Sequence, residues 1–387
     1  MADKKSANPF EHPLAFGSFR NWLRLLWDNK DVDRQFILRA LFVTLSTFFI
    51  SPLGLYESIR YGRIVRSTSI HPSPIFIVGH WRSGTTHLHL TMCQDKNLGF
   101  VSTFQTFAPS ICLVSEGIVK RPLDMVGRKR HPTRVIDNIP FAMDSPGQQD
   151  LAIACMSPYS FFHMYTFPRQ AVYFYEKYIT HFDDLPESIR AEWNEIYLTI
   201  MRKAALKSGK ERLILRNCAD TGRIKALLQL FPGAKFIHIY RNPYDIFRST
   251  RNLYETILAT AQLQEISPDE IETWVLRFYT QLMQKYLTDK ALIPAGNLVE
   301  VNYEDLETEP LTQLRRIYDA LNLPGFGEAE PAFRAYLASI ANYQKNPQEI
   351  DDNVISNVNQ YWQFALDEWG YDHLEPASST TTPIQYL

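Results

Sequence analysis

The chain has 387 residues, of which 45% are apolar, and carries 40 Lys and Arg against 42 Asp and Glu. This length suffices for one large α/β domain with additions or for two small domains. The balanced charge disfavours a duplex nucleic-acid binder but allows a few local cations to hold a small anionic ligand. The four cysteines show no metal-ligand spacing and predict buried free thiols in a reducing compartment.

The first 72 residues predict an N-terminal helical extension. Its polar start, residues 1–16, lacks the apolar core of a secretory signal, which favours a cytoplasmic location. No charge interrupts residues 40–56, where Pro52 and Gly54 predict the end of a helix. The stretch falls just short of the roughly 20 residues of a membrane span. It suits either a buried packing helix or a membrane-contacting arm, and both interpretations stay open.

A glycine-containing loop follows the first predicted strand, Ile75–Val78, and reads Gly-His-Trp-Arg-Ser-Gly-Thr-Thr over residues 79–86. A strand, a tight loop and a helix start form an anion site, because backbone N–H groups and the helix end face the ligand. Arg82 adds a cation with a fork of donors. An NTPase loop would place Lys directly after its second glycine, where this chain has Thr85.

Three more short apolar runs predict parallel strands at Leu213–Leu215, Lys235–Tyr240 and Leu298–Val301. Apolar residues at helical spacing lie between and after them: Ile271, Trp274, Phe278, Leu282 and Tyr286 before the last strand, and Leu314, Ile317, Tyr318 and Leu321 after Pro310. This alternation predicts an α/β fold with a central parallel sheet flanked by helices, as one catalytic domain over residues 73–375. Residues 376–387 are predicted to be a disordered tail.

A second candidate anion-binding segment follows the strand Lys235–Tyr240. Arg241 stands at the carboxyl end of that strand, where open α/β sheets bind ligands. Pro243 can open the next helix, and Ser249 lies about two turns into it. Taken singly, Arg241 suits a surface ion pair and Ser249 a helix cap equally well.

Together, these segments resemble the sulfotransferases that use 3'-phosphoadenosine-5'-phosphosulfate (PAPS). Residues 76–89 resemble the 5'-phosphosulfate loop of the bacterial branch that carries Arg-Ser-Gly-Thr-Thr, and residues 236–249 resemble the 3'-phosphate motif. Similarity at residues 215–224 and 303–306 extends the match to most of the chain. The resemblance implies a P-loop-like fold and PAPS as donor. It also implies PAP (the desulfated product) and transfer to a hydroxyl or amine of a small-molecule, lipid or glycan acceptor without a metal.

The resemblance also implies the residues that hold the nucleotide. The implied cofactor-binding residues are Arg82, Ser83, Gly84, Thr85, Thr86 and His87 toward the 5' end, and Arg241 and Ser249 at the 3'-phosphate. His87 stands where animal enzymes carry a tryptophan that stacks on adenine, and Asp220 stands where this branch often has histidine. These departures concern the adenine contacts and one loop, whereas the phosphate-binding residues match.

Sulfuryl transfer needs a cation at the leaving phosphate and a base for the acceptor proton. Arg82 is the predicted cation. Asp150 is the first candidate base, although an Asp carboxyl with a pKa near 3.9 must be buried to act at neutral pH. His163 is the second, since its intrinsic pKa of about 6.5 suits the task, and a core histidine is its alternative. Asp144 is the third. The aromatic region from Phe100 to Tyr175 predicts either plain core or an apolar acceptor pocket.

Two other functions are alternatives for this sequence. A P-loop kinase or NTPase would need a Lys after Gly84 and an acidic residue ending a neighbouring strand to hold magnesium. A non-catalytic, membrane-associated protein that binds PAP or PAPS would explain why the acidic cluster that bacterial relatives often carry is reduced here to Asp150. Neither nucleic acid nor a metal is an expected partner.

Overall fold

The computed structural model describes residues 8, 10–130, 133, 140–341 and 350–377. Its sheet has four parallel strands in the order β2-β1-β3-β4. The strands are β1 (Ile75–Val78), β2 (Ile214–Arg216), β3 (Lys235–Tyr240) and β4 (Leu298–Asn302). The predicted parallel sheet is therefore confirmed. β2 begins one residue later than expected, because Ile214 is the residue that pairs with Ile75, while Leu213 bridges to Gly99.

Helices account for most of the remaining described chain. Those before β2 are α1 (Phe19–Asn29), α2 (Ile37–Ser67), α3 (Thr85–Met92), α4 (Thr103–Phe107), α5 (Arg121–Arg130), α6 (Gln149–Met156), α7 (His163–Thr166), α8 (Ala171–Tyr175) and α9 (Glu187–Ser208). Those after β2 are α10 (Ile224–Leu230), α11 (Pro243–Ala261), α12 (Pro268–Asp289), α13 (Tyr303–Thr308), α14 (Pro310–Ala320), α15 (Phe326–Ser339), α16 (Asp352–Tyr361) and α17 (Gln363–Trp369). Shorter helical turns span Arg34–Phe36, Glu116–Lys120, Pro168–Gln170, Glu176–Thr180, Phe182–Asp184, Cys218–Gly222 and Lys290–Leu292.

Alternate residues of each strand enter two different cores, one on each face of the sheet. Phe76 and Val78 join the larger core with α9 and α12, whereas Ile75 and Ile77 join a smaller core with α14 and α15. The predicted stripe from Ile271 to Tyr286 is buried on α12, and α14 begins at Pro310 as expected. Both faces of the sheet are thus covered by helices, as a parallel sheet requires.

The N-terminal segment is helical, but one expectation about it was wrong. α2 does not end near Pro52; it continues through that residue to Ser67. Proline removes one backbone donor, yet Pro52 lies on the exposed side of a helix whose opposite side is buried at Val43, Thr47 and Glu57. Packing on both sides of the proline therefore carries the helix past it. The boundary between the N-terminal extension and the catalytic domain, at residues 72 and 73, stays a prediction. Most of the predicted tail, residues 378–387, lies outside the described residues.

Candidate active site

The loop between β1 and α3 has a backbone that only particular residues can adopt. Gly79 and Gly84 have positive φ angles of 140° and 94°. A Cβ on Gly79 would lie 2.3 Å from the Ile239 carbonyl oxygen, and one on Gly84 would lie 2.1 Å from the Tyr303 ring. Arg82 has φ of 71°, which is uncommon for a residue with a side chain and is typical of strained functional loops. The loop is therefore pressed against β3 and α13 with its arginine in a fixed orientation.

The strand order places this loop beside the second predicted segment. β1 and β3 are neighbours, while the chain leaves β1 toward β2 and leaves β3 toward β4. Such a reversal is where open α/β sheets bind ligands. Arg82 Nε donates a hydrogen bond of 2.6 Å to Ser249 Oγ, and Arg241 Nη1 lies 3.4 Å from the Arg82 carbonyl oxygen. The structure thus brings Arg82, Arg241 and Ser249 into one cluster.

The side chain of Arg241 is held from two sides. Its Nη2 forms an ion pair of 2.9 Å with Asp245, one turn into α11, and its guanidinium lies 4.7 Å from the centre of the Tyr303 ring. Asn242 caps α11 through a hydrogen bond from the Tyr244 amide. The Nε of Arg241 is buried and has no hydrogen-bond partner among the described residues. A buried donor of this kind calls for an acceptor.

The hydroxyl groups near the loop have different partners. The amide and the hydroxyl of Ser83 both donate hydrogen bonds to the His80 carbonyl oxygen, so that its side chain stabilises the turn. Thr85 Oγ1 lies 3.6 Å from Cys218 Sγ. Thr86 Oγ1 accepts a hydrogen bond of 2.9 Å from Arg216 Nη1. His87 is half-buried in the first turn of α3.

Arg216 is a site residue that sequence reasoning did not assign. It ends β2, just as Arg82 follows β1 and Arg241 follows β3. Three neighbouring strands therefore deliver three guanidinium groups to the same edge of the sheet; Arg82, Arg216 and Arg241 are called the arginine cluster below. The position of Arg216 at the end of a predicted strand could have assigned it to the site from the sequence.

Asp150 lies in a second cluster, which is sealed from solvent. Its Oδ2 pairs with Arg223 Nη1 at 2.9 Å, and its Oδ1 lies 3.2 Å from Arg223 Nη2. Asn217 Nδ2 and Ser160 Oγ also donate to the Asp150 carboxylate. Both Asp150 and Arg223 are fully buried. Every oxygen of the Asp150 carboxylate is therefore occupied by internal donors.

Asp220 completes this sealed cluster of Asp150, Asp220 and Arg223. Arg223 Nη1 lies 3.2 Å from Asp220 Oδ1, and the Tyr197 hydroxyl donates to Asp220 Oδ2 at 2.6 Å. Burial raises the pKa of Asp220 to about 7; Arg223 opposes the rise and the negative charge of Asp150 adds to it. One guanidinium thus faces two carboxyl groups in a site without water to stabilise the second charge.

The other two candidate bases lie in different environments. His163 is buried, with its Nε2 at 2.9 Å from the Ser157 carbonyl oxygen and its Nδ1 without a partner among the described residues. Burial lowers the pKa of His163 to about 4, so its ring is neutral at pH 7. Asp144 is exposed and forms an ion pair with Lys120. Phe161, two residues before His163, contacts the Trp81 ring of the loop at 5.3 Å between centroids.

His80 is a further loop residue whose role the sequence did not reveal. Its ring is buried against Tyr279, and its Nδ1 lies 2.8 Å from the Trp81 carbonyl oxygen. Since a carbonyl only accepts, Nδ1 carries the proton and Nε2 presents a lone pair. Burial lowers the pKa of His80 to about 3. Within the described residues, no group of three or more His, Cys, Asp or Glu side chains is arranged to hold a metal ion.

Comparison with known proteins places this architecture in a family. The model of the sulfotransferase family matches residues 74–328. The omega-hydroxy-beta-dihydromenaquinone-9 sulfotransferases Stf3 of Mycobacterium bovis (strain ATCC BAA-935 / AF2122/97) and Mycobacterium tuberculosis (strain CDC 1551 / Oshkosh) are each 33% identical over 380 residues, which cover 96% of this chain and 94% of theirs.

Solved structures show the same fold at low sequence identity. Sulfotransferase STF9 from Mycobacterium avium superposes with a TM-score of 0.69 at 18% identity, covering 92% of each chain. Sulfotransferase STF1 from Mycobacterium tuberculosis H37Rv superposes with a TM-score of 0.62 at 17% identity, covering 91% of this chain and 93% of that one. The resemblance read from the sequence is confirmed at the level of the family and displaces the kinase and non-catalytic alternatives. The chain belongs to the sulfotransferase family and is an enzyme that transfers a sulfuryl group.

Proposed function

We propose that the enzyme takes the sulfuryl group from PAPS, transfers it to the hydroxyl of an apolar, lipid-like acceptor and releases PAP. The observation that carries the proposal is the contact between Arg82 Nε and Ser249 Oγ, which joins the two nucleotide motifs at one place. These residues are 167 positions apart in the chain. A ligand with phosphate groups at both ends of one adenosine is the simplest anion to need both motifs.

At the 5' end, the loop and the start of α3 provide the donors. Arg82 and the hydroxyls of Thr85 and Thr86 would bind the phosphosulfate together with backbone N–H groups of the helix start. Gly84 lets the backbone approach closely. Ser83 shapes the turn through His80 rather than offering its hydroxyl. At the 3' end, Arg241 and Ser249 would bind the 3'-phosphate, and His87 would lie toward the adenine.

The reaction is an in-line displacement at sulfur. The acceptor oxygen forms a bond to sulfur while the bond between sulfur and the bridging oxygen breaks, and the electron pair stays on the 5'-phosphate of PAP. Negative charge therefore grows on that bridging oxygen during the transition state. Arg82, held in a strained backbone and directed by Ser249, is the cation proposed to stabilise this charge.

The acceptor must lose its proton as the new bond forms. We assign Asp150 a positioning role, because its oxygens already accept hydrogen bonds from Arg223, Asn217 and Ser160. His163 is the remaining candidate proton acceptor, because its Nδ1 lone pair has no partner among the described residues. Burial lowers its pKa to about 4, so it is a weaker base than a free imidazole. Phe161, two residues before His163, packs on Trp81 of the loop, which supports this assignment.

An apolar alcohol is the proposed acceptor class. The curated relatives are named for an omega-hydroxy-beta-dihydromenaquinone-9. In this chain, Trp81 of the loop packs with Phe161 and Tyr175, so the surroundings favour an apolar molecule over a glycan. The buried thiols of Cys112, Cys155 and Cys218 suit the reducing cytoplasm, where we place the enzyme.

Transfer of radiolabelled sulfate tests this proposal. The full-length enzyme is incubated with labelled PAPS, and separately with labelled adenosine 5'-phosphosulfate, which lacks the 3'-phosphate. Each is tested with a long-chain isoprenoid alcohol, a hydroxylated quinone and an oligosaccharide. We expect labelled product from PAPS with an apolar alcohol. Equal transfer from both donors would contradict the role of the 3'-phosphate, and transfer only to the oligosaccharide would contradict the acceptor class.

The proton acceptor is tested by replacing His163 with Gln, which keeps most of the ring's volume but cannot take a proton at neutral pH. We expect kcat to fall by about 10²- to 10⁴-fold, the usual contribution of a general base, with PAP affinity unchanged. Asp150→Asn serves as the comparison, and we expect this substitution to lower the free energy of unfolding. A His163→Gln enzyme with full kcat would remove His163 from the mechanism.

A further inference from the structure

One face of α2 is fixed to the protein along the whole helix. Its buried residues are Arg39, Val43, Thr47, Glu57 and Val65, which recur at helical spacing on one side. Near the start of the helix, the Arg39 guanidinium donates to the carbonyl oxygens of residues 259 and 262 at 2.9 and 2.8 Å. The helix has 31 residues and is therefore about 46 Å long.

The second half of α2 is anchored by a buried charge. Glu57 forms an ion pair of 2.5 Å with Lys203 on α9, and its other oxygen accepts the amides of Leu113 and Val114. Removing one partner from a buried ion pair is strongly destabilising. The helix consequently cannot swing away from the domain to cross a bilayer end-on while the rest of the protein stays in water.

The opposite face of α2 is apolar and exposed. Phe49 and Ile59 expose 73% and 76% of their surface, and Leu45 exposes 47%. The other exposed large apolar residues of this helix are Ile37, Leu38, Leu41, Phe48, Leu55, Tyr56 and Ile64. By length and composition α2 could cross a membrane. Only 17% of its most apolar stretch is buried, which distinguishes it from the core helix of a soluble protein. An exposed apolar stripe of this size marks an interaction surface.

Aromatic side chains of α1 extend this surface. Phe19 of α1 contacts Phe48 of α2 with 5.4 Å between ring centroids. Leu23 and Trp27 follow Phe19 at intervals of four residues, so all three share one side of α1. Trp27 exposes 73% of its surface and lies 4.9 Å from Lys30 Nζ. The outer surface, defined as the exposed apolar residues of α2 with Leu23 and Trp27, is therefore shared by two helices.

The exposed charged side chains of α2 around the outer surface are all positive. Between Arg39 and Glu57 the helix carries no charge. Its exposed charged side chains are Arg60, Arg63 and Arg66, and Arg34 is exposed just before its start. When the helix lies parallel to a bilayer, the arginines at both ends of the apolar stripe face the phosphates of one leaflet.

We propose that α2 lies flat on an anionic phospholipid bilayer, with its apolar stripe in the acyl boundary, its arginines on lipid phosphates and Trp27 at the headgroup level. The enzyme docks on the membrane without spanning it. The docking does not depend on the proposed reaction. If the acceptor is an apolar alcohol, as proposed above, it would reach the enzyme beside α2, which contacts residues 110–114 in the aromatic region between the two nucleotide motifs.

Vesicle flotation of the full-length protein tests the docking. The vesicles are pure phosphatidylcholine or phosphatidylcholine mixed with phosphatidylglycerol. The test variant is Leu45→Glu with Phe49→Glu. The control is Leu292→Glu, because Leu292 is an apolar residue outside the outer surface whose exposure of 51% is similar to the 47% of Leu45. We expect the control to float like the wild type. The double variant should bind at least about tenfold more weakly, since each of its two substitutions removes a large apolar contact with the lipid.

Two further measurements define the geometry. Replacing Arg60 and Arg63 with Gln should weaken binding to the anionic vesicles by about fivefold for each arginine and leave binding to the neutral vesicles unchanged. Lipids with brominated chains should quench the fluorescence of the wild type and quench that of Trp27→Phe less. Equal thermal unfolding of all variants confirms that they fold.

Three results would overturn the proposal. The double variant could float as well as the wild type. The wild type could fail to float while light scattering shows a dimer that the double variant disrupts, in which case a second copy covers the outer surface. The membrane-bound protein could resist alkaline carbonate and show protease protection of both ends of α2, in which case the helix spans the bilayer.

Discussion

The arginine cluster and the sealed cluster both contain arginines that lie at or beyond strand ends of one sheet, yet their charges are arranged differently. In the sealed cluster, Arg223 faces two buried carboxyl groups, and every hydrogen bond is internal. In the arginine cluster, Arg82 and Arg216 donate to the hydroxyls of Ser249 and Thr86, and Arg241 pairs with the partly exposed carboxylate of Asp245. A phosphate oxygen can replace a hydroxyl as acceptor at little cost, and it binds an arginine more strongly.

The comparison teaches how buried ionisable residues near an active site can be sorted. A charge that is matched by an internal opposite charge and sealed from water holds the fold together. A charge at a strand end that meets hydroxyls or a partly exposed carboxylate can exchange these partners for a ligand. The following experiments separate the two clusters, in order of decreasing expected effect.

The largest effect is expected on stability when Arg223 is replaced by Met. The change leaves Asp150 and Asp220 buried without their cation, which costs about 3–5 kcal/mol in the free energy of unfolding. Urea denaturation measures the loss. Arg241→Met is the control from the arginine cluster and should cost far less, because Arg241 is partly exposed and its partner Asp245 is more so. Equal losses in both variants would contradict the distinction between the clusters.

Next in size is the effect of Arg82→Ala on turnover. Removal of a donor aimed at developing charge lowers kcat by about 10²- to 10³-fold, whereas PAP binding should change much less, because PAP resembles the product rather than the transition state. Steady-state kinetics and calorimetric titration with PAP measure the two quantities. If kcat and PAP affinity fell by the same factor, Arg82 would be a binding residue without a special role in the transition state.

Arg241→Ala should weaken PAP binding by about 10- to 150-fold, the range expected for hydrogen bonds to a charged group worth about 1.5–3 kcal/mol. Its effect should be specific to the 3'-phosphate. Adenosine 5'-phosphate, which lacks that group, should bind the variant and the wild type alike. A loss of the same size for both nucleotides would mean that Arg241 contacts another part of the ligand or only maintains the loop.

The last effect, at most about 1.4 kcal/mol for each pH unit, is expected from Asp220→Asn and depends on pH. Because burial raises the pKa of Asp220 from its ordinary value of 3.8 to about 7, the folded wild type binds a proton that the unfolded chain has lost between these values. Its stability therefore falls as pH rises from about 4 to 7, by at most about 1.4 kcal/mol per pH unit from this group. Asparagine removes the titration.

Thermal unfolding of both proteins between pH 5 and pH 8 provides the measurement for Asp220. The stability of Asp220→Asn relative to the wild type should rise with pH. A constant difference across the range would show that Asp220 does not titrate in the sealed cluster.

The sequence predicted the arginine cluster better than the sealed cluster for a physical reason. Arg82 and Arg241 each belong to a local strand-loop-helix pattern, and such patterns can be read from neighbouring residues. Asp150 was a candidate base because it is the carboxylate left where bacterial relatives often carry an acidic cluster. Its partner, Arg223, is 73 residues away and carries no local sign of the pairing. Only the packing of α6 against the turn after β2 reveals that the carboxylate is already occupied.

The extent of α2 also depended on packing. Pro52 and Gly54 indicate a helix end by local propensity, but the buried face from Arg39 to Val65 continues past both. Tertiary contacts outweigh the loss of one backbone hydrogen bond. The strands β1 and β3 were predicted to the residue, since short parallel strands with buried centres leave a largely apolar run in the sequence.

A crystal structure with bound PAP would test most directly whether two distant segments hold the two ends of one nucleotide. We expect a single PAP with its 5'-phosphate within hydrogen-bond distance of Arg82 and the amides at the start of α3. Its 3'-phosphate should lie within the same distance of Arg241 and Ser249. A PAP that contacts only one of the two segments, or that binds elsewhere on the protein, would contradict the account.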